Sequence, residues 1–107
     1  MNAQLKKGFL EYCILATLNK GDSYGYRIIR DVESVIKISE STLYPILKRL
    51  EKKQFIESHN QIYNNRVRRY YHITPIGVAS GKNFLKDERT IQHLYDFIRG
   101  GFHDEEK

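Results

Sequence analysis

Between Ser39 and Lys53 the stretch SESTLYPILKRLEKK sets Leu43, Ile46, Leu47 and Leu50 at helical spacing along one side. Ser41, Thr42, Pro45, Lys48, Arg49 and Lys52 are left on or near the other side, with Tyr44 exposed beside them. Hydroxyls, a tyrosine and long cations on one helix face suit phosphate oxygens and the base edges of a major groove. Only Glu40 and Glu51 dilute that charge. A little further on, Arg66-Val67-Arg68-Arg69-Tyr70-Tyr71 supplies a second cationic cluster. The chemistry on offer is recognition of a polyanion, not bond-making. No nucleophile has a plausible base, no Gly-rich loop is built for phosphate, and no pair of carboxylates sits in apolar sequence, so no catalytic residue is expected. His59, His72, His93 and His103 fall on different segments without ligand spacing, so neither a metal nor another cofactor is expected.

The charge distribution agrees. Of a net +5 over 107 residues, positions 37–72 hold eight Lys/Arg against three acids, whereas the flanking thirds are close to neutral. A basic block in an otherwise balanced domain points to double-stranded DNA ahead of a membrane, because no strongly apolar face accompanies it; the alternative is charge kept for solubility. A lone Cys13 in the apolar run Tyr12-Cys13-Ile14-Leu15-Ala16 fits a small buried hydrophobe in a reducing compartment. With no leader pattern and no run of about 18 apolar residues, a cytoplasmic protein is expected.

These segments need elements to hold them. Leu5, Phe9 and the apolar run to Leu18 predict a first helix over Gln4 to Asn19, its second half buried on more than one side. Gly21 suits the left-handed residue after it, and Asp22 or Ser23 suits the cap of a second helix from about Tyr24 to Ser34. Ser39 or Ser41 fits the N-cap of the third, and a cap nearer Thr42 is favoured because Pro45 then falls in the first turn. Phe55 to His59, a turn over Asn60 to Asn65, and Arg66 to Thr74 read as a hairpin, with Asn64-Asn65 able to take positive φ. Val67, Arg69, Tyr71 and Ile73 share one face, so of the two adjacent tyrosines one should pack and one should lie at the surface. Thr74-Pro75 opens a last helix running to Arg99, about 25 residues or roughly 37 Å. Part of it must project, and its seam of Phe84, Ile91, Leu94, Tyr95 and Ile98 needs a partner, a second copy of the chain being the simplest.

The order is that of a winged helix-turn-helix with an added dimerisation helix, mainly α with a small β-hairpin. Residues 1–74 are expected to form the DNA-binding domain, 75–101 the dimerisation helix and 102–107 a disordered tail. Gly25-Tyr26-Arg27-Ile28, Ser41-Thr42-Leu43-Tyr44-Pro45-Ile46-Leu47-Lys48-Arg49-Leu50-Glu51, Arg68-Arg69-Tyr70-Tyr71-His72-Ile73-Thr74 and Ile76-Gly77 closely resemble the PadR family of transcriptional regulators over about residues 5 to 100. The resemblance implies a dimeric, sequence-specific DNA-binding regulator, mostly a repressor, often released from DNA by a ligand. It implies Ser41, Thr42, Tyr44 and Lys48 at the major groove and its phosphates, and Arg66, Arg68 and Arg69 at the wing; the face analysis adds Arg49 and Lys52. Where the family commonly has Gly-Arg at the wing, this chain has Asn65-Arg66.

The rival reading is a winged-helix module for protein–protein assembly, against which the concentration of Lys and Arg argues. Multidrug-sensing members resemble this chain but sandwich flat aromatics between tryptophans of the last helix. Here there is no tryptophan, and the corresponding turn is Lys86-Asp87-Glu88-Arg89. Phe9, Tyr12, Phe84 and Glu88 are the candidates for a small effector cavity, but tight binding of planar dyes is not expected.

Overall fold

The computed structural model describes residues 3–102, with side chains from residue 6 onward. Helix α1 (Ala3–Asn19) buries Leu10, Ile14, Leu15 and Leu18. Its other apolar side is not enclosed as expected: Ala16 is exposed, and Tyr12 and Cys13 are half-buried. Gly21 turns the chain with φ 158°, a conformation open to glycine but outside the left-handed helical region. A two-residue strand follows, β1 (Ser23–Tyr24), too short to leave any periodicity in sequence. Helix α2 (Gly25–Val32) is N-capped by Tyr24 with no side-chain cap bond. Neither Asp22 nor Ser23 caps it: Ser23 pairs in the sheet, and an Asp22 oxygen lies 2.7 Å from His72 Nδ1.

Helix α3 (Glu40–Lys52) starts at the earlier of the two caps, so Pro45 lies inside it. The proline costs one backbone bond and frees the Ser41 carbonyl. What outweighs the loss is the stripe Leu43, Ile46, Leu47 and Leu50, every member of which is buried in the common core. The helix ends in a Schellman turn, Phe55 N–H donating to Leu50 O at 3.0 Å and Gln54 N–H to Glu51 O at 2.9 Å. Gln54 occupies the left-handed position at φ 64°, where glycine is the unstrained residue. Gln54→Gly is therefore expected to stabilise the protein by about 0.5–1 kcal/mol, read as a higher urea midpoint at unchanged m-value.

Strands β2 (Ile56–Tyr63) and β3 (Arg66–Ile73) form the hairpin, in register from Ile56 opposite Ile73 to Tyr63 opposite Arg66. The turn is shorter than expected. Only Asn64 and Asn65 remain outside the strands, at φ 51° and 62°, the two positive angles a type I′ turn requires. The sheet order is β1-β3-β2, and β1 meets β3 only at Tyr70 and Tyr71. The edge of β3 from Arg66 to Arg69 is thus left open on that side. Ile56, Tyr71 and Ile73 close the core from the sheet.

Thr74 then caps α4 (Pro75–Leu85), its Oγ1 accepting from Gly77 N–H at 3.1 Å and donating to the Gln54 carbonyl at 2.6 Å. The expected continuous last helix is two: Lys86 and Asp87 interrupt it, and α5 (Glu88–Phe102) begins anew. Lys82 in the last turn of α4 and Glu88 in the first turn of α5 match the dipoles of a helix end followed by a helix start. Packing favours the break as well, because Phe84 stays behind on α1, stacked on Tyr12 at 4.2 Å. Phe84, Ile91 and Ile98 therefore do not form one heptad seam. Gly100 and Gly101 do not end α5, which continues through Phe102, at a helix end where glycine costs little. The tail expected at 102–107 loses Phe102 to the helix, and 103–107 lie outside the described residues. No residue of α5 is buried, and the molecule is 63 Å long against 26 and 21 Å across.

Candidate nucleic-acid interface

On α3 the buried stripe turns Ser41, Thr42, Lys48 and Lys52 outward, all exposed. Ser39 Oγ lies 2.8 Å from Ser41 Oγ and 3.4 Å from Thr42 Oγ1, so three hydroxyls gather at the start of the helix. Tyr44 is half-exposed, and its hydroxyl rests on Gly25 so closely that a Cβ there would collide with it. Arg49 is a correction to the face analysis. Its Nε and Nη2 donate to Glu11 at 3.1 and 3.0 Å, and Lys53 reaches the other oxygen of Glu11 at 3.5 Å. Arg49 thus ties α3 to α1 rather than facing outward.

The open edge of β3 faces the starts of α2 and α3 across a groove of about 600 Å³. Glu40 and Tyr44 line it from α3, and Arg66, Val67, Arg68 and Arg69 from the hairpin. Four of the sequence-selected residues, Tyr44, Arg66, Arg68 and Arg69, thereby come together. Their states differ. Arg66 is exposed next to the turn. Arg69 donates to Glu51 at 3.3 Å and lies 5.9 Å from the centre of the Tyr71 ring, so it runs along the sheet. Arg68, on the opposite face, has its guanidinium carbon 4.0 Å from the Tyr24 ring centre and 4.6 Å from that of Tyr63. It also donates to the Tyr70 hydroxyl at 3.4 Å, which together with the neighbouring tyrosines raises its already high pKa.

Tyr71 is the packed ring of the pair, and its burial raises its phenol pKa above the ordinary value. Tyr70 is the half-buried one, edge-on to Tyr24 at 5.5 Å and stacked with His59 at 5.9 Å. His59 is register partner to Tyr70 and His72 to Glu57, so the two histidines do not face each other. Among the described residues no group of His, Cys, Asp or Glu is arranged to hold a metal ion, and no helix is long and apolar enough to cross a membrane.

The candidate effector residues divide. Phe9, Tyr12 and Phe84 line an apolar cavity of about 320 Å³ between α1 and α4, whereas Glu88 lies beyond the helix break with Lys86, Arg89 and Asp96. The candidate dimerisation residues divide at the same place. Ile91, Leu94, Tyr95 and Ile98 share a stripe on α5, while Phe84 belongs to α1 and α4. Sequence reasoning missed Glu11, Tyr24 and Tyr63. Glu11 is 38 positions from Arg49, and nothing local marks the pair. Tyr24 and Tyr63 gain their roles only from the strand β1 and from the longer β2.

The molecule combines the helix order, a short sheet with an arginine-lined edge, and an outward polar face on the third helix. Together they define a winged helix-turn-helix DNA-binding regulator. A profile of the transcriptional regulator PadR-like family matches residues 14–83. A transcriptional regulator from Mycobacterium tuberculosis is 35% identical over 65 residues, covering 61% of this chain and 58% of that protein. Among solved structures, a protein from Streptococcus mutans UA159 is 40% identical with a TM-score of 0.75, covering 86% of this chain and 87% of its own. A transcriptional regulator from Clostridium thermocellum is 30% identical at 0.78, with coverages of 90% and 95%. The chain belongs to the PadR-like family of transcriptional regulators.

Proposed function

We propose that the protein is a homodimeric repressor that reads a specific DNA sequence with α3 and grips the flanking backbone with its wing. The observation that carries this reading is an outward hydroxyl and lysine face on α3, the helix whose Glu40 and Tyr44 line one groove with the arginines of β3. Ser41 and Thr42 are short enough to reach base edges, Tyr44 and Lys48 border them, and Lys52 and Arg66 meet phosphates. The dimer forms through Ile91, Leu94, Tyr95 and Ile98 on α5, an apolar stripe on a helix with no buried residue of its own. Phe9, Tyr12 and Phe84 pack α4 on α1, and the cavity they line does not sandwich a flat ligand between Tyr12 and Phe84. Tyr12 already stacks on Phe84 at 4.2 Å, which leaves no room for a further ring between them.

Salt titration of binding to DNA selected from a randomised duplex pool tests this. With about three or four phosphates neutralised per subunit, the slope of log K against log salt should be about −5 to −7. Thr42→Ala should narrow the gap between selected and unselected DNA. Arg66→Ala should weaken both alike and flatten the slope. Equal losses on both DNAs for Thr42→Ala would mean that α3 does not read bases.

A further inference from the structure

Arg68 sits in the middle of the wing's basic run, yet its surroundings are not those of a phosphate ligand. Tyr24 comes from β1, Tyr63 from the last position of β2, and Tyr70 from β3 itself. The guanidinium lies 4.0 and 4.6 Å from the first two ring centres and donates to the third hydroxyl at 3.4 Å. A planar cation held against two aromatic faces has its attractive surface occupied, and drawing it out to a phosphate would forfeit both contacts.

The two rings are also placed to transmit position. Tyr63 directly precedes the turn residues Asn64 and Asn65, so it belongs to the wing tip. Tyr24 is the N-cap of α2, and the next residue, Gly25, receives the Tyr44 hydroxyl from α3. Tyr44, Gly25, Tyr24, Arg68 and Tyr63 thus form an unbroken line from the reading helix to the wing tip. β1 meets β3 at only two positions, so little else of the sheet fixes that distance.

We infer that Arg68 is a positioning residue: it couples the wing to α3 through Tyr24 and Tyr63, setting the spacing between wing and reading helix, and does not itself neutralise a DNA phosphate. The inference rests on the proposed reading of DNA by α3 and the wing. Its signature is a loss of affinity for the correct sequence without a loss of ionic contacts.

The test uses the full chain, with duplex selected from a randomised pool by the wild-type protein and the unselected pool as nonspecific competitor. Arg68→Ala should lower affinity for the selected duplex about tenfold and for the pool much less, because the wing can still meet phosphates once freed. The salt slope should stay at the wild-type value, whereas Arg66→Ala should flatten it by about 0.9 per subunit. Tyr63→Leu should reproduce the Arg68→Ala pattern, and Tyr63→Phe, which keeps the ring face, should bind like wild type. Tyr63 is more than half exposed, so its variants keep the question answerable if Arg68→Ala fails to fold. A slope flattened in Arg68→Ala as in Arg66→Ala, or equal binding by Tyr63→Leu and wild type, overturns the inference. Failure of the wild-type protein to select any sequence would instead defeat the reading it rests on.

Discussion

Replacing Ile91 and Ile98 together by aspartate is expected to turn the proposed dimer into a monomer whose winged-helix body remains folded. α5 has no buried residue, and Leu94, Phe97, Ile98 and Phe102 are 58, 83, 55 and 74% exposed. A second α5 packed on this stripe would desolvate both new carboxylates, and each charge without a partner would cost several kcal/mol. The core residues, from Leu10 to Ile73, all precede α4, so the same charges have nothing to disrupt there. Sedimentation should show the change of mass, with helical circular dichroism largely kept. The effect on DNA follows. A monomer carries half the phosphate contacts, so the salt slope should fall by about half and binding should drop by orders of magnitude at physiological salt. A double variant that still sediments as a folded dimer would remove α5 from the interface.

The second large effect is expected at Gly77. A Cβ on this residue would drive into the Phe55 carbonyl oxygen and lie 2.8 Å from Ile73 Cγ1. Neither can yield easily: the Phe55 carbonyl also accepts from Thr74 N–H at 3.0 Å, and Ile73 belongs to the core. Gly77→Ala should therefore cost about 2–4 kcal/mol, a large share of the stability of a domain this small, by forcing α4 off the hairpin base. Gly8 provides the contrast. It is exposed in α1 with open space around it, so Gly8→Ala should stabilise by about 0.5–1 kcal/mol. Urea unfolding of the two variants beside wild type reads both signs. Equal midpoints for Gly77→Ala and wild type would show that α4 can shift without cost.

The sequence made the third helix legible because an amphipathic stripe repeats: Leu43, Ile46, Leu47 and Leu50 left only one way round for Ser41, Thr42 and Lys48. The hairpin was legible by alternation, and its turn by the tolerance of asparagine for positive φ. What stayed hidden depended on contacts between distant segments. The start of α3 was misplaced because Pro45 argues locally against a helix, and only the buried stripe outweighs it. The last helix looked continuous because Phe84, Ile91 and Ile98 keep heptad spacing, while the pull of Tyr12 on Phe84 has no local signature. Arg49, Arg68 and Arg69 look alike in sequence, yet Glu11, two tyrosines and Glu51 give them separate tasks.

The open edge of β3 has a consequence for how the protein behaves in a crowded solution. A strand edge with free backbone groups is a template on which another chain can add a strand, the usual first step toward aggregation. Beyond its two-residue cover by β1, this edge carries Arg66, Arg68 and Arg69, so a second copy approaching it meets three guanidiniums with three of its own. Arg66, proposed to meet DNA, thus shares with Arg68 and Arg69 the work of keeping wings apart when no DNA is present. Stripping all three at once would remove both properties together, so a wing that has lost DNA is best examined one arginine at a time.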